Sequence, residues 1–217
     1  MCLSNSSLIF SSNDNIIRKW TTNGIEPLFT DFNVKCFEPS DVLFYTTRMI
    51  LKQFDSRSGI RPIQAYKNEV SCLKKHNYLI YTGHENGTLS CLDIRNNKVI
   101  YEKVHNGTIF SIEIIDDIVY TGSRDHSIKA LKNNQINTLD PPHYDSISKL
   151  INYKNELVSV SRDCSLKRWN NSNIVKTVPN AHTTWIRSAD VMDHCFVTGS
   201  VKGTLRFWDF VIIVYFV

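Results

Sequence analysis

TGSRDHSIKAL at 121–131 returns as SVSRDCSLKRW at 159–169 and as TGSVKGTLRFW at 198–208. Weaker copies are TGHENGTLSCL at 82–92 and SSNDNIIRKW at 11–20. The bulky residue that closes each phrase provides a check on the period. It falls at Trp20, Phe54, Leu92, Leu131, Trp169 and Trp208, in steps of 34, 38, 39, 38 and 39. The short step belongs to the most degraded copy, YTTRMILKQFD at 45–55, whose tight turn reads as shortened. Six units are therefore visible.

Residues 143–176 show what one unit contains. HYDS is a loop, ISKLI begins strand a, ELVSVS is strand b, RDCS is a hairpin turn, LKRWN is strand c and NIVKTV is strand d. Short apolar or alternating runs separated by Asp, Ser or Gly are antiparallel strands with tight turns. Four such strands have two open faces and cannot bury them alone. Repeats near 40 residues solve this by stacking face to face, as the blades of a β-propeller. The expected fold class is therefore all-β, a propeller of about six recognisable blades with incomplete terminal units. Its phrases lie at 8–20, 43–55, 80–93, 118–132, 157–170 and 196–209, within one domain over 1–209. The apolar tail FVIIVYFV at 210–217 reads as a last strand d or as a product of truncation. The chain opens at strand b and ends after strand c. A ring of seven units needs roughly 270–300 residues, so the sequence reads as a fragment of a larger ring. Two columns, Ile109, Ile147, Ile186 and Ile128, Leu166, Leu205, read as packing between blades.

The 217 residues are 42% hydrophobic and 21% charged, the balance of a soluble globular domain long enough to bury a core. The net charge of +4 and the absence of any run of five Lys or Arg argue against nucleic acid or an anionic membrane as partner. The tail is about eight residues, too short to span a bilayer, which takes roughly 20. The N-terminus lacks the basic and long apolar regions of a signal peptide. Six cysteines contain no C-x-x-C pair and fall mostly in expected strands, which reads as reduced, buried thiols in the cytoplasm. No phosphate loop, dinucleotide fingerprint or metal-ligand spacing is present, so no cofactor, metal or small-molecule substrate is expected.

The repeat resembles the WD40 family, and that resemblance assigns roles to its polar residues. In WD40 blades a loop His, a strand-b Ser, a turn Asp and a strand-c Trp form a buried hydrogen-bond chain. The resemblance implies such a tetrad for His143, Ser161, Asp163 and Trp169, with Ser161 as the bridge. His105, Ser123 and Asp125 repeat it with Leu131 in place of Trp. His182, Ser200 and Trp208 repeat it with Lys202 in place of Asp. A Ser, His, Asp set also suggests a nucleophile and its base. An active site, however, is single, whereas this set recurs with the period of the fold. The expectation is therefore scaffolding, with no catalytic residues and no enzyme activity.

Propeller function sits on loops displayed by a rigid scaffold. The d–a loops and b–c turns share the face called the top. Glu85, Arg124 and Arg162 open the turns, and Tyr144 and Trp185 lie in the loops before strand a. These five are the expected partner-binding residues, since Arg, Tyr and Trp are enriched in interface hot spots. Trp185 stands out because its equivalents are Glu69, Thr108 and Ser146.

PPHYD at 141–145 and VPNAH at 178–182 depart from the plain GH of generic repeats. With TGSRDHSIK, SVSRDCSLKRWN and HTTWIRS they resemble consecutive blades of the C-terminal propeller of kinesin-4 motors, over roughly 90 residues. The rest aligns only by period, and the first two units match poorly, with Tyr66 where the loop His should be. The resemblance implies a cargo- or microtubule-facing scaffold, associated with the cytoskeleton, that binds tubulin or adaptor proteins. The alternative is a WD40 signalling adaptor or ubiquitin-ligase substrate receptor unrelated to kinesins. A degron receptor would need a coherent ring of Arg, and Val201 interrupts the row after Arg124 and Arg162.

Overall fold

The computed structural model describes residues 2–4, 7–12, 14–40, 42–209 and 213–214. Among them are 24 strands in six four-stranded antiparallel sheets. Blade 1 is β1 (Cys2–Ser4), β2 (Ser7–Ser11), β3 (Ile16–Thr21) and β4 (Gly24–Thr30). Blade 2 is β5 (Val34–Glu38), β6 (Leu43–Thr47), β7 (Ile50–Asp55) and β8 (Gly59–Ala65). Blade 3 is β9 (Val70–His76), β10 (Leu79–His84), β11 (Thr88–Asp93) and β12 (Lys98–Lys103). Blade 4 is β13 (Ile109–Ile115), β14 (Ile118–Ser123), β15 (Ile128–Lys132) and β16 (Gln135–Thr138). Blade 5 is β17 (Ile147–Tyr153), β18 (Glu156–Ser161), β19 (Leu166–Asn170) and β20 (Asn173–Val178). Blade 6 is β21 (Ile186–Val191), β22 (Phe196–Ser200), β23 (Leu205–Trp208) and β24 (Ile213–Val214). In each sheet neighbouring strands are consecutive in the chain, which is the meander of a propeller blade.

One detail, in blade 1, differs from the sequence reading. Blade 1 does not open at strand b, because Cys2–Ser4 pairs with β2 as a three-residue strand a. In blade 6 the fourth strand comes from within 210–217, where Ile213 and Val214 pair with Trp208 and Phe207. The side chains of the tail lie outside the described residues.

The turns explain why these sequences make these strands. The a–b hairpins Asp116–Asp117 and Lys154–Asn155 have positive φ at both central residues, as do the c–d hairpins Asn133–Asn134 and Asn171–Ser172. That is the type I′ geometry, whose twist matches that of the flanking strands. The b–c turns of blade 1 and of blades 3–6 each place one residue in the left-handed region: Asn15 (φ 62°), Gly87 (82°), His126 (70°), Cys164 (69°) and Gly203 (80°).

The chain forms two compact units, Met1–Glu85 with Ser90–Ile100, and Asn86–Leu89 with Tyr101–Val217. In the first, Phe44, Leu51, Val70, Leu73, Ile80 and Leu92 form a buried cluster. In the second, the strand-a column Ile109, Ile147 and Ile186 is fully buried. Ile128 packs in one cluster with Ile147 and Leu150, and Leu166 in another with Ile186 and Phe196, so each strand c is covered by the next blade. The approach of blades 4 and 5 is close. A Cβ on Gly122 would come within 2.6 Å of Ile147 Cγ2. Leu205 departs from the expected column, being 56% exposed. What covers Ile128 and Leu166 comes from the blade that follows in sequence, and Leu205 belongs to the last described blade. The thiols also differ from expectation. Cys72 is buried, whereas Cys36, Cys91, Cys164 and Cys195 are half-buried.

Every strand a of the second to sixth blades shows the same irregularity in its pairing with strand b. The register skips one residue near the top of every one: Lys35, Ser71, Phe110, Ser148 and Arg187. A β-bulge leaves its extra residue unpaired and re-aims it. This device brings side chains of strand a to the candidate site.

Candidate protein-interaction site

Beneath the top of blade 5 lies a chain of hydrogen bonds. Trp169 Nε1–H donates to Ser159 Oγ at 2.9 Å, and Ser159 Oγ lies 2.8 Å from His143 Nε2. With the indole proton already on its oxygen, Ser159 spends its own on Nε2. His143 is thus the neutral tautomer with its proton on Nδ1. That N–H faces Asp163 Oδ2 at 3.0 Å, and Ser165 Oγ–H donates to Asp163 Oδ1 at 2.7 Å. The backbone N–H of Tyr144 and of Ser165 also donate to the carboxylate. Burial opposes ionisation of Asp163, but the bonds from His143 and Ser165 prevail and hold its carboxyl well below the usual range. Burial pushes the His143 imidazole below its ordinary value, against the pull of Asp163. Beside them Lys167 is buried, with Nζ donating to the carbonyls of Pro141 and Pro142.

Ser161 is not the bridge, a correction to the expected tetrad. Residues i and i+2 share a face of a strand, so both serines point the right way. Trp169 pairs with Leu157, however, which puts Ser159 diagonal to the indole and Ser161 a further ~7 Å along. Ser161 Oγ donates instead to Asp145 O, at 3.0 Å, and accepts from Asp163 N–H. The same correction applies to Ser123 and Ser200. The bridges are Thr121, 2.8 Å from His105 Nε2, and Thr198, 2.7 Å from His182 Nε2 and 2.8 Å from Trp208 Nε1. Asp125 receives His105 Nδ1 and Ser127, as Asp163 receives His143 and Ser165. In blade 6, which has Lys202 at the Asp position, His182 Nδ1 meets Thr204 Oγ1. Blade 3 is rewired. Its loop residue is Tyr66, and His84 from strand b reaches both Ser90 and Thr82, with the Tyr66 ring 5.0 Å away edge-on. The bridging hydroxyls are fully buried. The network can orient the loops above it.

The network fixes the loops above it. Arg124 N–H bonds Thr108 O, Arg162 N–H bonds Ser146 O and Val201 N–H bonds Trp185 O, at 2.8, 3.0 and 3.0 Å. Each b–c turn is thereby clipped to the d–a loop of its own blade. From this fixed backbone Arg162 extends between two rings. Its guanidinium carbon lies 5.4 Å from the Phe110 centroid in blade 4 and 5.5 Å from that of Trp185 in blade 6. Both are cation–π distances. Phe110 arrives there as a bulge residue, which sequence reading missed. The only advance sign was its position one residue after the strand-a Ile. Ser148, Ile186, Arg187 and Val201 complete a cleft of about 170 Å³ with these three.

The structure thus joins Arg162 and Trp185 in one cleft. Tyr144 lies outside it, 91% exposed, on a backbone tied to Asp163. Arg124 is exposed at the turn of blade 4, outside the cleft. Glu85 belongs to the first unit, where its N–H bonds Glu69 O.

The model of the WD domain, G-beta repeat, matches residues 173–209. The crystal structure of the WD40 beta propeller domain of Doa1 superposes with a TM-score of 0.70 at 16% identity, covering 86% of this chain and 71% of that one. The fold is a WD40 β-propeller. Kinesin-like protein KIF21A of Homo sapiens is 32% identical to this WD40 chain over 114 residues, 47% of the chain and 7% of the relative. Nuclear distribution protein PAC1 of Candida glabrata is 27% identical over 168 residues, 64% of the chain and 36% of the relative. The WD40 chain therefore spans less than a tenth of the kinesin-like protein and about a third of PAC1. Among the described residues no helix is long and apolar enough to cross a membrane.

Proposed function

We propose that this WD40 propeller is a non-catalytic interaction module, akin to the tail of a kinesin-like motor, that holds a protein partner on the top of blades 4–6. The observation that carries the reading is the exposed Trp185, stacked on Arg162 over a hydrogen-bonded scaffold. A half-exposed Trp costs hydration unless something covers it, and stacked Trp–Arg pairs are common interface anchors. The likeness to KIF21A supports tubulin or a microtubule-associated adaptor as the partner and the cytoskeleton as the location. The likeness to PAC1 over more of the chain supports a second reading, an adaptor outside the kinesins.

Co-sedimentation with microtubules tests the first reading. Binding at micromolar protein that weakens about tenfold or more in Trp185→Ala is the expected result. Absence of binding at that concentration overturns the kinesin-like reading. Loss in Trp185→Ala of a cross-linked partner other than tubulin would favour the second.

A further inference from the structure

Arg48 and Arg162 hold the same place in their blades and end in different company. Each is the first residue after strand b, and the N–H of Arg48 bonds Asn33 O as that of Arg162 bonds Ser146 O. In the first unit Arg48 reaches to the next blade's loop and clamps Glu69, with Nε and Nη2 at 2.8 and 2.7 Å from Oε1. In the second unit the position of Glu69 is taken by Trp185. The equivalence is structural, since the Glu69 and Trp185 carbonyls accept from Glu85 and Val201 in the same way.

Trp185 holds the Arg162 guanidinium without neutralising it. Its central carbon lies over two rings, and neither ring offers its N–H groups a carboxylate or carbonyl acceptor. Neither Arg162 nor Arg187 has a carboxylate partner among the described residues, and no carboxylate lines the cleft. A guanidinium edge is a planar fork that fits a carboxylate through two parallel hydrogen bonds. The walls beside it, Trp185 and Val201, are apolar and exposed.

We infer that this cleft binds an acidic peptide segment of the partner, seating a carboxylate on Arg162 and an adjacent apolar side chain on Trp185 and Val201. The inference rests on the interaction reading above and names the chemistry recognised. The incoming carboxylate replaces in trans what Glu69 supplies to Arg48 in cis. Arg187 adds long-range attraction from the rim. A phosphate would favour further cations in the lining of the cleft, to which the next turn contributes Val201.

The test is fluorescence anisotropy of the full chain with a fluorescein-labelled Gly/Ser peptide carrying Glu-Leu-Glu. Parallel peptides carry Gln-Leu-Gln or phosphoserine in place of each Glu. The Glu peptide is expected to bind about tenfold more tightly than the Gln peptide. Arg162→Lys keeps the charge and loses the fork, so it should weaken Glu-peptide binding about tenfold. Arg124→Ala should leave that binding unchanged. Thermal melts confirm that each variant folds. Equal affinity for Glu and Gln, no binding of the Glu peptide at millimolar concentration, tighter binding of the phosphoserine peptide, or Arg162→Lys behaving as wild type would each overturn the inference. If these peptides fail while Trp185→Ala still releases microtubules, the carboxylate chemistry falls and the interaction reading stands.

Discussion

Replacing Trp169 by Phe isolates one link of the blade 5 network. Trp169 is 1% exposed, and its indole N–H is the donor to Ser159 Oγ at 2.9 Å. In the variant Ser159 still donates to His143 Nε2, but its accepting lone pair is left dry. An unmatched buried acceptor costs about 1–3 kcal/mol. The smaller ring also leaves a void of roughly 40 Å³, worth about 1 kcal/mol at ~24 cal/mol per Å³. The sum is about 2–4 kcal/mol, which lowers Tm by roughly 5–15 °C for a domain of this size. Urea denaturation gives the free energy, with the m-value serving as a check that the unfolded state is unchanged. Trp185→Phe is the control, since Trp185 is half-exposed and its indole N–H has no protein acceptor in the site described. It should shift stability by less than about 0.5 kcal/mol. A loss for Trp169→Phe within that same margin would refute the hydrogen-bond chain as a source of stability.

Two further outcomes follow from the same network. Burial lowers the folded-state values of His84, His143 and His182 below that of a free imidazole. A lowered group contributes stability above its unfolded value, which is lost as pH falls through the folded one, so thermal melts should show Tm declining below about pH 6.5. The low values of Asp125 and Asp163 add a second loss only below about pH 4, and a Tm flat from pH 7.5 to 5 would contradict the assignment of buried neutral histidines. In blade 6, Lys202→Asp should place a carboxylate near His182 Nδ1, as in blades 4 and 5, and stabilise by about 1 kcal/mol in urea. Unchanged or reduced stability would show that Thr204 alone already satisfies the ring.

The repeat made the blades legible because strand pairing and turn geometry are local. A period of 38–39 residues, a I′ turn at Lys154–Asn155 and an apolar strand b leave little choice of partner within a blade. The His, Asp and Trp of the network were legible for the same reason, since they recur in register. Ser161 was misread because period 2 gives two hydroxyls on one face, and only the pairing of Leu157 with Trp169 chooses between Ser159 and Ser161. Blade 3 shows the same limit. No local rule says that His84 takes over when Tyr66 replaces the loop His.

By itself, then, the sequence determined the all-β class, the blade count and the columns that bury Ile109, Ile147 and Ile186. These follow from hydrophobic alternation and turn chemistry, which act over a few residues. The tertiary structure decided what the top of blades 4–6 presents. Phe110, Arg162 and Trp185 come from three blades, and their meeting depends on a bulge, a backbone clip and the stacking of successive sheets. Such a site has no spacing to read in the chain, because its distances are set between blades.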